Sequence, residues 1–76
     1  MSRYGKPHQD VIATLKNIYP VGTRVKLIYM DDAQAPDAGT LGTVRGVDGM
    51  GDLLMDWDNG SHLKVIFGQD IIMKLD

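Results

Sequence analysis

This chain has no cysteine, no glutamate and, in 76 residues, a single tryptophan and a single phenylalanine. Without cysteine there is no disulfide to brace the fold and no thiolate to hold zinc. Only His8 and His62, distant in sequence, remain as nitrogen ligands, and no metal site or cofactor is expected. An unstapled domain of this size draws only about 3–5 kcal/mol from its core, so a compact sheet, self-association or a partner has to supply the remainder. In the absence of glutamate every acidic side chain is aspartate, the carboxylate that prefers turns and caps to helix interiors. Nor is there an excess of positive charge. Eight basic against ten acidic residues leave a net charge of −2, the opposite of the basic footprint that drives non-specific nucleic-acid binding. No apolar run approaches the roughly 20 residues that span a bilayer, and Met1-Ser2-Arg3-Tyr4-Gly5-Lys6 has no hydrophobic stretch behind its charges. The expectation is a cytoplasmic protein with no membrane association.

What is present is a hydrophobic content of 43%, that of one small globular domain, and one ribbon that organises it. Leu53 to Phe67 contains the lone Trp and the lone Phe, with Asp58-Asn59-Gly60 at its tip. A two-residue Asn-Gly turn would set Trp57 opposite His62 and mix polar with apolar groups on both faces. A three-residue loop closed by a left-handed glycine instead pairs Trp57 with Ser61, Met55 with Leu63 and Leu53 with Val65. Leu53, Met55, Trp57, Leu63, Val65 and Phe67 then share one face, and Asp56 lies across from His62 on the other. A hairpin alone is marginal, so this register demands further strands against the apolar face.

Those strands are legible on both sides. Val11, Ile12, Leu15 and Ile18 line one face of a helix running from Pro7 to about Ile18, stopped by Pro20 and too short to persist without docking. Thr23 to Met30 alternates as Val25, Leu27 and Tyr29 against Lys26, Ile28 and Met30. The loop from Met30 to Gly39 has no periodicity and is long for so small a domain, the kind of segment that carries function or moves. Thr40 to Val47 is a second strand with Leu41, Thr43, Arg45 and Val47 on one side and Val44 on the other, interrupted by Gly42 and Gly46, where bulges or sharp bends belong. After the turn Asp48 to Gly51 and the ribbon, Gly68-Gln69-Asp70 makes a tight corner before a last strand, Ile71 to Leu75. Five short strands with one long first loop describe a mainly β fold, a small SH3-like five-stranded barrel with one N-terminal amphipathic helix. The division is residues 1–20 for leader and helix and 21–76 for the barrel, one compact domain overall.

Pro20-Val21-Gly22-Thr23-Arg24-Val25, Met30-Asp31-Asp32, Pro36, Gly39-Thr40-Leu41-Gly42-Thr43-Val44, Val47-Asp48 and Trp57-Asp58-Asn59-Gly60-Ser61 together resemble an SH3-like domain of unknown function found in bacterial, archaeal and phage or mobile-element proteins. Gly-Thr-x-Gly-Thr-Val followed by Trp-Asp-Asn-Gly is also similar, more loosely, to domains of the Mind bomb and HERC type. The resemblance runs from about Pro20 to Met73 and leaves the helix outside it. It implies a fold and a genomic setting, with no activity attached.

No catalytic constellation is expected. Ser61, His62 and Asp56 have the residue types of a triad, but Ser61 and His62 point to opposite faces of a strand, and Asp56 with His62 reads as an ordinary cross-strand pair. Asp56, Asp58, Asn59 and Gly60 echo a calcium loop without its spacing or its closing Glu. The expected function is a non-catalytic binding module engaging an unidentified protein, and the phage or mobile-element setting that the resemblance implies makes that partner a host protein which the module modulates. The candidate partner-binding residues are Tyr29, Met30, Asp31, Asp32, Pro36 and Met50, grouped where the long loop, the Asp48 turn and the Asp70 corner converge. The alternative is a nucleic-acid-binding barrel using Lys26, Arg45 and Lys64.

Overall fold

The computed structural model describes residues 7–76, so the polar leader expected over Met1 to Lys6 lies outside the described residues. One helix, α1 (Gln9–Ile18), precedes four strands, β1 (Arg24–Tyr29), β2 (Leu41–Val47), β3 (Leu53–Trp57) and β4 (Ile71–Lys74). The strands form one antiparallel sheet in the order β3-β2-β1-β4. The expected fold class therefore holds as mainly β with one helix. The expected fifth strand does not: the sheet has four strands and is open.

The missing strand is the return limb of the ribbon, and its register is nonetheless the expected one. The Trp57 N–H donates to the Ser61 carbonyl, the Gly60 N–H donates to the Trp57 carbonyl, and Leu53 and Val65 exchange both backbone bonds at 3.0 Å. Continuing that ladder, Leu63 would exchange bonds with Met55. Its groups are already taken, because the Trp57 indole Nε1–H donates to the Leu63 carbonyl (2.9 Å) and the Leu63 N–H donates to Ser61 Oγ (3.3 Å). Side-chain bonds thus replace ladder bonds in the middle of the limb.

Two bulges reset the inside–outside alternation. Between Leu27 and Tyr29 the pairing with β4 slips by one residue, so Ile28 and Tyr29 both stand outward against Ile71, and Met30 turns into the core. This reverses the expected alternation, which placed Tyr29 with Val25 and Leu27 and set Met30 against them. A second slip, between Val44 and Gly46 on β2, lets both Val44 and Val47 face inward, where strict alternation had separated them. The buried core is Val25, Leu27, Met30, Val44, Leu53, Met55, Trp57 and Val65, with Tyr19, Ala35, Val47, Leu63 and Ile72 packed around it. Phe67, expected inward with the ribbon, is 36% exposed. It is itself bridged to Asp70, where the chain turns the last corner, and its ring lies against Tyr19 at 5.9 Å between centroids.

The helix is half-docked. Its cap is His8 rather than an earlier turn begun at Pro7: His8 Nδ1 accepts from the Asp10 N–H at 3.1 Å. At the other end Lys74 Nζ donates to the Ile18 carbonyl at 2.7 Å, placing an ammonium at the negative end of the helix dipole. Ile12 and Leu15 turn toward the protein, yet no helical residue is fully buried, and the helix lies against β2. Gly51, at φ +81°, lies under it, with Pro7 Cγ 3.3 Å from where a Cβ would stand.

The long loop is folded back on itself. Gly39 and Leu27 are joined by a 2.7 Å backbone bond, Leu27 donates to the Thr40 carbonyl, Asp32 Oδ1 accepts from the Gln34 N–H, and Pro36 is buried. Across the sheet Gly42 pairs with Trp57, and the indole covers the glycine: a Cβ on Gly42 would fall 2.5 Å from Trp57 Cε3. Gly42→Ala therefore forces the indole off its seat. It is expected to cost about 1–3 kcal/mol, measured by urea denaturation followed through Trp57 fluorescence; an unchanged midpoint would show that the ring moves freely.

Candidate functional site

The two faces of the sheet differ in chemistry, and the register explains how. Residues paired across antiparallel strands point to the same side. One row of the outer face is Asp56, Thr43 and Arg24. Here the Arg24 guanidinium grips Asp58 with two bonds of 2.7 and 2.8 Å and donates a third to Thr43 Oγ1 (2.9 Å). Arg24 holds the exposed Asp58 carboxyl below its ordinary pKa through this hydrogen-bonded pairing, and Asp58 raises that of Arg24 in turn. Beside them Asp56 Oδ1 lies 3.2 Å from Arg45 Nε and 2.8 Å from His62 Nδ1. The expected Asp56–His62 pair is present, and Arg45 joins it. All three groups are roughly half exposed or more, so the cluster contributes no more than about 1 kcal/mol. Ser61 Oγ accepts from the Leu63 N–H.

Lys64 serves the turn after β2. Asp48 accepts from the N–H groups of Met50 (2.9 Å) and Asp52 (3.0 Å) and from Lys64 Nζ (3.0 Å), while the buried Asp52 carboxylate lies 3.8 Å from the same ammonium. Partial burial pushes the Asp48 carboxyl up, but the Asp52 N–H, Lys64 and the Met50 N–H together hold it below its ordinary 3.8. Of the alternative nucleic-acid set, then, Arg45 is engaged by Asp56 and Lys64 by Asp48 and Asp52; Lys26, on the middle of β1, is half-buried between Leu41 and Met73.

The partner-binding set is divided by burial. Met30 belongs to the core and Pro36 is buried, which removes both from any surface. Tyr29, Asp31, Asp32 and Met50 are exposed, Met50 on the separate turn between β2 and β3. What brings Asp31 to the last corner is Asp70, a residue only 8% exposed whose carboxylate accepts from the N–H of Asp31 (3.0 Å) and of Ile66 (2.8 Å). One side chain thus ties the long loop, the return limb and the start of β4 together. The sequence expectation gave Asp70 only a turn role.

Beside this tie lies a surface that pattern reading passed over. Ile28, Tyr29, Ile71 and Met73 are 45%, 53%, 55% and 45% exposed, and the register sets Tyr29 opposite Ile71 and Lys26 opposite Met73. They form one apolar strip on the outer face of the β1–β4 pair. No periodicity announces it, because Ile71-Ile72-Met73 is apolar at every position and Ile28 and Tyr29 share a side only through the bulge. A second apolar feature is an open groove of about 480 Å³ lined by Lys16, Tyr19, Pro20, Val21, Gly46 and Val47, at the junction of helix and sheet. Among the described residues no helix is long and apolar enough to cross a membrane, and no three His or Asp side chains converge as a metal would require.

Asp70→Ala leaves two part-buried N–H groups without their acceptor and is expected to cost about 1–3 kcal/mol for each that water does not reach; amide exchange at Asp31 and Ile66 should accelerate well beyond that at Val25. Acid should weaken the fold through Asp48. Because its folded pKa lies below the ordinary 3.8, its contribution is complete above that value and is lost as pH falls through the folded one. Asp48→Asn should flatten the loss of stability that urea titrations show as pH falls below the ordinary 3.8; a parallel pair of curves would exclude Asp48 as the source.

No curated protein and no solved structure matches the chain. A family model does, over residues 8–75, so the helix falls within the matched region rather than outside it. That model is the domain of unknown function DUF4314, and the chain belongs to this family.

Proposed function

We propose that the chain is a non-catalytic, SH3-like protein-binding module, and that in the mobile-element setting implied by the sequence resemblance it modulates a host protein. The SH3-like reading is supported by the order of the parts: a first strand, a long folded loop, two strands joined by a tight turn, a three-residue hairpin turn, a return limb, a single-turn corner and a last strand laid against the first. The limb from Ser61 to Phe67 stands where a fifth strand would, with its central ladder bonds taken by Trp57 and Ser61.

The observation that carries the binding reading is the uneven treatment of the outer face. Its β2–β3 half is closed by ion pairs, while its β1–β4 half leaves four large apolar side chains about half exposed. A chain of 76 residues has little core to spare, and a contiguous apolar strip left at the surface marks an interaction site. The non-catalytic reading rests on Ser61, His62 and Asp56, the residues nearest to a triad in type: Ser61 Oγ accepts a backbone bond, and His62 faces Asp56 and Arg45. The nucleic-acid alternative is weakened by the carboxylates that occupy Arg45 and Lys64.

Two measurements test the choice. Capture from a host lysate should recover protein with the wild type and lose it with Asp31→Lys, Asp32→Lys; identical recoveries would remove the acidic loop from the binding surface. Fluorescence anisotropy with short DNA and RNA should show no binding at low salt, whereas micromolar binding with a steep salt slope would favour the nucleic-acid reading.

A further inference from the structure

We infer that the β1–β4 strip docks a cationic amphipathic segment of a partner protein, with Ile28, Tyr29, Ile71 and Met73 taking its apolar side chains and Asp31 and Asp32 its basic ones. This rests on the protein-binding reading above and gives that reading a surface and a partner chemistry. The strip is continuous by register: Ile71 and Met73 lie two apart on one side of β4, and the bulge after Leu27 places Ile28 and Tyr29 together against Ile71. Its acidic border is held in place. The Asp70 carboxylate binds the Asp31 N–H at 3.0 Å, and Asp70 directly precedes Ile71, so the acidic end of the long loop is pinned to the first residue of the strip.

Asp31 and Asp32 are exposed and enter no ion pair among the described residues, in contrast to Asp48, Asp56 and Asp58, each of which holds a cation. Two unneutralised carboxylates beside a half-exposed apolar strip select a positively charged occupant. The same border disfavours the other candidates. A second copy of this chain has net charge −2 and so lacks the positive surplus that these carboxylates select, and an anionic lipid surface or a nucleic-acid backbone carries the same sign as Asp31 and Asp32.

The test is selection of a random 16-residue peptide display library on the intact protein, with the recovered peptides resynthesised and titrated. Recovered sequences should carry net positive charge and several large apolar residues, and their affinity should fall as salt rises. Ile71→Ser, Met73→Ser, whose fold is checked by amide NMR dispersion, should weaken binding about tenfold or more. Asp31→Asn, Asp32→Asn should weaken it about threefold and flatten the salt dependence. Peptides that are neutral or acidic, or that bind the Ile71, Met73 variant as tightly as wild type, overturn the assignment of this surface while leaving the binding-module reading in place. An empty selection also overturns it, and lysate capture then decides the broader reading by itself. Wild-type dimerisation by sedimentation, abolished by the same double variant, overturns it in favour of a second copy.

Discussion

The Trp57 indole is the contact on which the rest of this small structure depends. Its face covers Gly42 across the β2–β3 pair, where any Cβ would collide, and its Nε1–H reaches over to the Leu63 carbonyl. A side chain of this size dominates a core built from eight buried residues. Satisfying its one polar atom with the return limb ties that limb to β3 without a ladder. The exchange has a structural consequence: the limb supplies Leu63 and Val65 to the core as a strand would, while the sheet remains open with four strands.

Carboxylates perform much of the remaining work of holding segments together. Asp70 joins the long loop to the return limb, Asp48 organises the turn beneath the helix start, and Asp58 ties the hairpin tip to β1 through Arg24. Each sits at a turn or corner and uses the short aspartate side chain to bond backbone N–H groups or a guanidinium close to it, a geometry that a longer glutamate reaches less readily. The absence of glutamate and the abundance of tight connections are therefore two sides of one design. Asp31 and Asp32, at the start of the long loop, stand apart from Asp48 and Asp58 in holding no cation among the described residues.

Much of this was legible from residue order. The register of the hairpin followed from asking which pairing keeps Leu53, Met55 and Trp57 on one face with Val65, and the Trp57–Ser61 and Leu53–Val65 bonds agree. The helix, the four strands and the Asp56–His62 pair also lie where periodicity put them, within a residue or two at their ends. The candidate site was less legible. Met30 and Tyr29 exchanged faces at a bulge that has no glycine to signal it, Phe67 left the core by one corner too many, and Ile71 and Met73 came to the surface from a run apolar at every position.

The sequence by itself determined the class of fold, the ribbon register and the places where the chain turns, because alternation of apolar residues and the conformational preferences of Asp, Asn, Gly and Pro act over a few neighbouring residues. Only the tertiary structure decided which apolar groups stay in water, which carboxylates find cations and whether the fifth limb joins the ladder. Those outcomes depend on a one-residue slip between β1 and β4, far apart in the chain, and on a single indole competing across the hairpin for the Leu63 carbonyl, and neither is written in the alternation of neighbouring residues.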